Sequence, residues 1–216
     1  TPFDPRYSGH RVDDYCEGTA WQWLWFVPQD VEGLANLLGG NDKMAEKLDE
    51  LLAADSKLEG ERPSVDISGL IGQYAHGNEP SHHVLYLYNY IGRPWRTQEL
   101  VDEVLQTLYF NDPNGLSGNE DCGQMSAWYI LSAMGFYQVC PGIPTYTIGR
   151  PIVDKAVMKL KDGKTFTVVV TNNSKENKYV QKMTLNGKAL EKPFFEHNDI
   201  VAGGTLEIEM GPQPVK

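Results

Sequence analysis

The chain has 216 residues, 41% of them hydrophobic and 22% charged, with 19 Lys and Arg against 29 Asp and Glu for a formal net charge of −10. That length suits one large domain or a domain with a smaller appendage, and 11% aromatic residues argue against disorder. The acid excess excludes nucleic acid as a natural partner, because phosphate binding needs a basic surface, and no run of 18 apolar residues is present to span a membrane.

No charged-then-apolar leader opens the sequence, and Thr1-Pro2-Phe3-Asp4, without Met, reads as an internal cut. The first polar cluster is Asp13-Asp14-Tyr15-Cys16-Glu17-Gly18-Thr19, running into Ala20-Trp21-Gln22-Trp23 and an apolar stretch to Val27 taken as a helix start. A carboxylate against an aromatic wall has its pKa raised and becomes a general acid. The plain alternative is a helix start with acids at its positive end. Helices are expected over Asp30–Leu38, stopped by Gly39-Gly40, and from Asn41 to Leu52, with Met44, Leu48, Leu51 and Leu52 on one face.

The second cluster is His76-Gly77-Asn78-Glu79-Pro80-Ser81-His82-His83. Its histidines lack the one-face spacing zinc requires, whereas Asn and Glu oxygens suit calcium. A helix is expected over His82–Ile91, and another capped by Thr97 with Leu100, Val101, Val104, Leu105 and Leu108 as its stripe. The third cluster, Asp112 to Gln124, fails as an EF-hand loop because Leu116 and Gly123 stand at ligand positions. It is read as a Gly-rich loop delivering Asn119, Glu120 and Asp121 to the start of a helix over Asp121–Gly135, apolar on nearly every side and so expected to be buried. Cys140 to Tyr146 is read as a stiff connector.

After Pro151 the texture changes. Residues 151–216 carry a net +2 against −12 for 1–150, and all five Trp (21, 23, 25, 95 and 128) lie in the first part. Lys164–Thr171 and Thr205–Met210 alternate as strands, and Val180–Leu185 leads into the hairpin signal Asn186-Gly187. The fold expected is mainly α with a β appendage: helices paired through long loops over 1–150, then a small antiparallel β-region over 151–216. Cys16, Cys122 and Cys140 form no C-x-x-C and allow at most one disulfide, with buried thiols the ordinary reading. Phosphate-binding and nucleophile-elbow templates are absent. Asn172-Asn173-Ser174 is a glycosylation sequon, meaningful only in a eukaryotic secretory host. What remains is carboxylates, amides and aromatics. Two carboxylates flanking a bond are what glycoside hydrolysis requires, and Glu17 with Asp121 or Glu120 are the candidates.

Three motifs, Glu17-Gly18-Thr19-Ala20-Trp21-Gln22-Trp23, Gly72 to His83, and Gly118 to Tyr129, resemble glycoside hydrolase family 92, the bacterial exo-acting α-mannosidases often described as α-1,2-mannosidases. The resemblance runs through almost the whole chain. It implies an N-terminal β-sandwich, an (α/α)6 toroid and a small closing β-region, with inversion at the anomeric carbon and dependence on calcium, which contacts mannose hydroxyls. Carried onto this sequence, it implies Glu17 as general acid, Asp121 as general base and Glu120 as an assisting acid. It further implies Asn78 and Glu79 as calcium ligands, and Trp21, His76, Asn119 and Gln124 in the mannose pocket. Some relatives have Asp where Asn119 stands, which leaves open whether Glu120 substitutes. Residues 1–150 then correspond to the C-terminal half of the toroid. The substrate implied is a mannose-containing oligosaccharide, the missing partner is the sandwich with the first toroid helices, and the location is the periplasm or cell surface. Two other readings stand beside this one: a non-catalytic sugar-binding fragment, and a structural half-domain inactive without its N-terminal portion.

Overall fold

The structure, a computed structural model, describes residues 3–216. It divides into two compact units. The first runs through Val84 and takes up Gln106–Ser126; the second comprises Leu85–Leu105 and Ala127–Lys216.

The first unit begins with α1 (Ala20–Trp23), α2 (Val31–Leu37) and α3 (Asn41–Ala53). Asp30 caps α2 by accepting the Gly33 N–H at 2.8 Å, and the left-handed pair Gly39-Gly40 ends it. Met44, Ala45, Leu48 and Leu51 form the buried face of α3, whose N-cap is Gly40. A short hairpin of β1 (Leu70–Ile71) and β2 (Tyr74–Ala75) precedes a 3₁₀ turn at Glu79–Ser81.

The stretch expected as one helix over His82–Ile91 is broken into a 3₁₀ turn at Val84–Tyr86 and a single turn of α4 (Leu87–Tyr90). Next, α5 (Pro94–Thr107) starts three residues before the expected cap, because Pro fits a first helical position whose N–H has no partner anyway. The Thr97 hydroxyl instead donates to the Leu85 carbonyl at 2.9 Å, buried. The apolar helix, α6 (Gln124–Met134), begins after a left-handed run at Asp121–Gly123. It is not buried all round: Trp128 is inaccessible, but Ile130 is 56% exposed.

From Phe136 onward the structure is mostly strands. A three-stranded antiparallel sheet takes the order β3 (Phe136–Tyr137), β4 (Thr145–Ile148), β9 (Phe194–Glu196), so the expected connector ends in a strand. A five-stranded sheet has the order β5 (Lys155–Lys159), β6 (Thr165–Thr171), β10 (Gly204–Gly211), β7 (Tyr179–Leu185), β8 (Lys188–Ala189). β7 and β8 are joined by Asn186-Gly187, both left-handed as the tight hairpin requires. The sheet is not wholly antiparallel. β10 inserts between β6 and β7 and runs parallel to β6, after a connection that includes α7 (His197–Ala202). Alternation in β6 turns Phe166, Val168 and Val170 into a core shared with Phe136, Ile148, Phe195, Leu206 and Ile208. In the same unit Arg150, almost fully buried, reaches Asp102 of α5 at 2.9 Å from its Nε.

Candidate active site: three loops that converge on carboxylates

Glu17 stands exposed on a left-handed backbone, φ +51°. The residues after it explain how it is held. Gly18 has no room for a side chain: a Cβ there would lie 2.5 Å from the Trp23 indole nitrogen. That nitrogen donates to the Cys16 carbonyl at 2.9 Å and clamps the turn. Buried Gln22 accepts from the Thr19 backbone N–H and hydroxyl at 2.5 and 2.6 Å, and donates to the Gln73 carbonyl at 2.6 Å. Most of this motif therefore serves as the mount for one carboxylate.

The second and third loops are pressed together backbone to backbone. A Cβ on Gly77 would fall 2.0 Å from Ser68 Oγ and 2.4 Å from the Ser117 carbonyl, and one on Gly118 would fall 2.7 Å from the Gly77 carbonyl. Glycine is what permits that approach. The seam sets Asn78-Glu79 beside Glu120-Asp121. Asn78 donates from Nδ2 to the Glu17 carbonyl at 2.8 Å and caps the Glu79 N–H with Oδ1 at 3.2 Å. Burial raises the Glu79 carboxyl above its usual range, and so do its hydrogen bond to Asp121 and the charges of Asp121 and Glu17. Glu17 and Asp121, from two other segments, thus both act on Glu79.

Around Asp121 the backbone is left-handed at three successive residues, Asp121, Cys122 and Gly123, with φ +53°, +57° and +102°. The Glu120 carboxylate accepts the N–H of Gly123 at 2.5 Å and of Ser126 at 3.2 Å. The Ser126 hydroxyl is the largest of the contacts that hold Glu120 below its usual pKa. Asn119 is exposed. Gln124 donates from Nε2 to His82 Nδ1 at 3.0 Å, and His82 Nε2 donates to the His76 carbonyl at 3.0 Å.

The histidines are wired into the protein. His76, expected in the pocket wall, is fully buried. The Tyr109 hydroxyl donates to the Met125 carbonyl, so its oxygen accepts from His76 Nε2 at 2.7 Å, and His76 Nδ1 accepts from the Tyr74 hydroxyl at 2.7 Å. With both nitrogens engaged and the ring enclosed, His76 supports the loop from behind. Burial, then the proximity of His82, pushes its pKa well down; burial likewise lowers His83, and brings His82 to about 4. Nothing in the local pattern marks Tyr109 as a partner; the glycines in the loops are the available signal for the seam.

Trp21 faces a cavity of about 380 Å³ with Tyr15, Trp23 and Leu24, its ring 4.5 Å from the Lys47 ammonium. Glu17, Glu79 and Asp121 do not line this cavity. The carboxylate cluster is the better candidate for chemistry, because bond cleavage needs acids and the cavity is chiefly aromatic. Cys16 and Cys122 are exposed free thiols and Cys140 is half-buried, unlike the buried thiols expected. Calcium takes six to eight oxygens. Here the Asn78 oxygen already accepts the Glu79 N–H at 3.2 Å, and among the described residues no group of three or more His, Cys, Asp or Glu is arranged to hold a metal. These two residues do not make a calcium site by themselves.

Comparison with known proteins gives a consistent answer. A model of the glycosyl hydrolase family 92 catalytic domain matches residues 1–212. A structure of a family GH92 α-mannosidase from Bacteroides thetaiotaomicron in complex with mannoimidazole is 41% identical with a TM-score of 0.91, covering 100% of this chain and 29% of that one. A family GH92 inverting mannosidase from the same bacterium is 38% identical with a TM-score of 0.81, covering 98% of this chain and 29% of that one. An uncharacterized secreted glycosidase of the fungus Arthroderma benhamiae is 34% identical over 200 residues, 91% of this chain and 24% of that protein. Bacterial and fungal relatives together leave the source of the chain unassigned. The chain spans under a third of the length of these relatives, and it belongs to the glycosyl hydrolase family 92 catalytic domains.

Proposed function

We propose that the chain carries the acid and base of a calcium-dependent inverting exo-α-mannosidase that acts on mannose-containing oligosaccharides, with α-1,2 linkages as the preferred substrate. The observation that carries this reading is the convergence of three loops, with Gly77 packed on Gly118 and the Asn78 amide on the Glu17 carbonyl at 2.8 Å, which gathers Glu17, Glu79 and Asp121 in a chain of this family. Glu17 protonates the leaving glycosidic oxygen. Asp121 takes a proton from a water that attacks the anomeric carbon from the opposite face, the C–O bond breaks, and configuration inverts. Glu79, brought beside Asp121 by the Gly77–Gly118 contact, orients the base. Gln124, aimed by His82, and Asn119 are the sugar-facing amides, and Trp21 offers an aromatic face.

Calcium dependence is part of the proposal. Because Asn78 and Glu79 are insufficient alone, further oxygen ligands must come from elsewhere, and no step of the mechanism above runs through the ion. Residues 1–150 are read as the C-terminal half of an (α/α)6 toroid and 151–216 as its closing β-region. The partner is then the β-sandwich and the first toroid helices, which accords with the share of each relative's length that the chain spans. A periplasmic or cell-surface location is supported by the secreted fungal relative; no helix among the described residues is long and apolar enough to cross a membrane.

The test is hydrolysis of an aryl α-mannoside and of α-1,2-mannobiose, with calcium and with EDTA, by the chain alone and with the sandwich portion added. Glu17→Gln and Asp121→Asn are each expected to lower kcat on the order of 100-fold or more while thermal unfolding is unchanged, since both side chains are exposed. Full activity in both variants would overturn the assignment, and turnover indifferent to EDTA would remove calcium from it. The aromatic cavity at Trp21 favours a second reading, a sugar-binding fragment without catalysis. Mannoside binding without turnover in every combination would select it.

A further inference from the structure

Building on the mannosidase reading, we propose that Glu120 is a positioning residue, the internal anion that holds the backbone of the base Asp121, and that it exchanges no proton with water or substrate. The resemblance offers it as an assisting acid. Its surroundings point elsewhere.

Asp121, Cys122 and Gly123 are left-handed in succession. Only glycine adopts that region freely, and side-chain-bearing residues persist there when the surrounding structure over-determines them. The run leads into the start of α6, where the first N–H groups have no helical partner and favour an anion. The Glu120 carboxylate sits there. One oxygen accepts from Gly123 N–H at 2.5 Å, the other from Ser126 N–H at 3.2 Å, and the Ser126 hydroxyl also donates to the carboxylate.

With each oxygen already bound to a backbone donor, the carboxylate has a structural occupation and little reason to take up a proton. Its negative charge also complements the positive end of α6. Reaching from Glu120 forward to Gly123 and Ser126, it closes the turn that contains Asp121 and so determines where the base points. Glu17, the acid, is also left-handed, but its turn is clamped by the Trp23 indole on the Cys16 carbonyl. Acid and base are therefore mounted by different devices, an aromatic hydrogen bond for one and an internal anion for the other.

The experiment compares Glu120→Gln and Glu120→Ala with Asp121→Asn, using kcat, KM and the pH–rate profile on an aryl α-mannoside, together with amide hydrogen exchange at Gly123 and Ser126. Glu120→Ala is expected to lower kcat on the order of 100-fold, as misplacement by about 1 Å does, with KM within about 3-fold. Exchange should quicken at Gly123 and Ser126, and the pH limbs should stay where they are. Glu120→Gln keeps an acceptor oxygen, and its kcat loss should be intermediate, about 10-fold. If Glu120→Gln is as damaging as Glu120→Ala and a pH limb vanishes, Glu120 is an acid or base and the proposal fails. Should the unsubstituted protein turn over no α-mannoside even with the sandwich portion added, the mannosidase reading falls and the exchange measurement still decides: unchanged protection at Gly123 and Ser126 in Glu120→Ala overturns the positioning role, and faster exchange confined there upholds it.

Discussion

Gly77→Ala tests the seam that brings Glu79 to Asp121. The new methyl would lie 2.0 Å from Ser68 Oγ and 2.4 Å from the Ser117 carbonyl, against an ordinary contact of 3.4–4 Å. The serine hydroxyl can rotate away; the carbonyl cannot. Relief requires the two loops to part by about 1 Å, the interval from 2.4 to 3.4 Å. Overpacking of this kind costs about 1–3 kcal/mol, and a 1 Å displacement of a catalytic group costs on the order of 100-fold in rate. Urea unfolding followed by tryptophan fluorescence gives the first quantity and aryl α-mannoside hydrolysis the second. Adding Ser68→Gly removes the closer contact and leaves the carbonyl, so rescue should be partial. Gly92→Ala is the control. Its φ is +74° with nothing within 4 Å of the added carbon, so only the left-handed penalty of about 1–2 kcal/mol applies. Gly118→Ala presses on the same seam, so the double variant should cost less than the sum of the singles. A Gly77→Ala protein with unaltered stability and rate would refute the claim that this close approach holds the two carboxylates together.

Two further outcomes follow from buried charge. His82 is held neutral, its pKa brought down from 6.5 to about 4 by burial. The unfolded chain binds that proton first, so the stability His82 contributes is complete above pH 6.5 and is lost as pH falls toward 4, on the order of 3 kcal/mol by then. Urea unfolding between pH 7 and 4 should show this slope, and His82→Gln should reduce it, leaving the part that buried His76 and His83 contribute with the same sign; a slope unchanged by the substitution would refute the assignment. The second concerns Arg150, which pairs with Asp102 and also donates to the Pro151 and Ser174 carbonyls. The Nε–H does not point at the Asp102 oxygen despite the 2.9 Å separation, so the link is an ion pair and not a well-formed hydrogen bond. Asp102→Ala should cost about 3–5 kcal/mol by stranding a buried cation, and Asp102→Leu with Arg150→Met should recover part of it. Thermal unfolding measures both, and a neutral single substitution would argue that the charge finds water.

Periodicity in the sequence located α2, α3 and the strands β6, β7 and β10, because each buries one face and repeats its apolar residues accordingly. It failed where tertiary contacts outweighed local pattern. His82–Ile91 is apolar enough for a helix, yet His82 and His83 must turn to donate to the His76 and Trp25 carbonyls, and the segment breaks into short turns. The parallel pairing of β10 with β6 left no trace in either strand, since alternation looks the same beside a parallel or an antiparallel neighbour. The apolar α6 was read as enclosed, but hydrophobicity states what a face prefers and not what covers it; Ile130 remains exposed.

The site was legible to a different degree. Residue type singled out Glu17, Glu79, Asp121 and their neighbours, since acids beside Trp, Asn and His are unusual in loops. Position required three facts that no local pattern contains: Trp23 folding onto Gly18, Gly77 meeting Gly118, and Asn78 reaching the Glu17 carbonyl. Each joins segments distant in the chain or reverses the backbone through a left-handed residue. Glu17 and Asp121, the proposed acid and base, are themselves left-handed, a conformation costing about 1–3 kcal/mol per residue, so the fold works against local preference at both carboxylates. The clamps that maintain them draw on the same motifs that supply the chemistry. For that reason a substitution in these motifs can abolish turnover without touching a sugar, and rate loss alone cannot assign a catalytic role to any residue here. Protection of the turn amides and the pH profile separate the two cases, because a clamp moves the first and an acid or base moves the second.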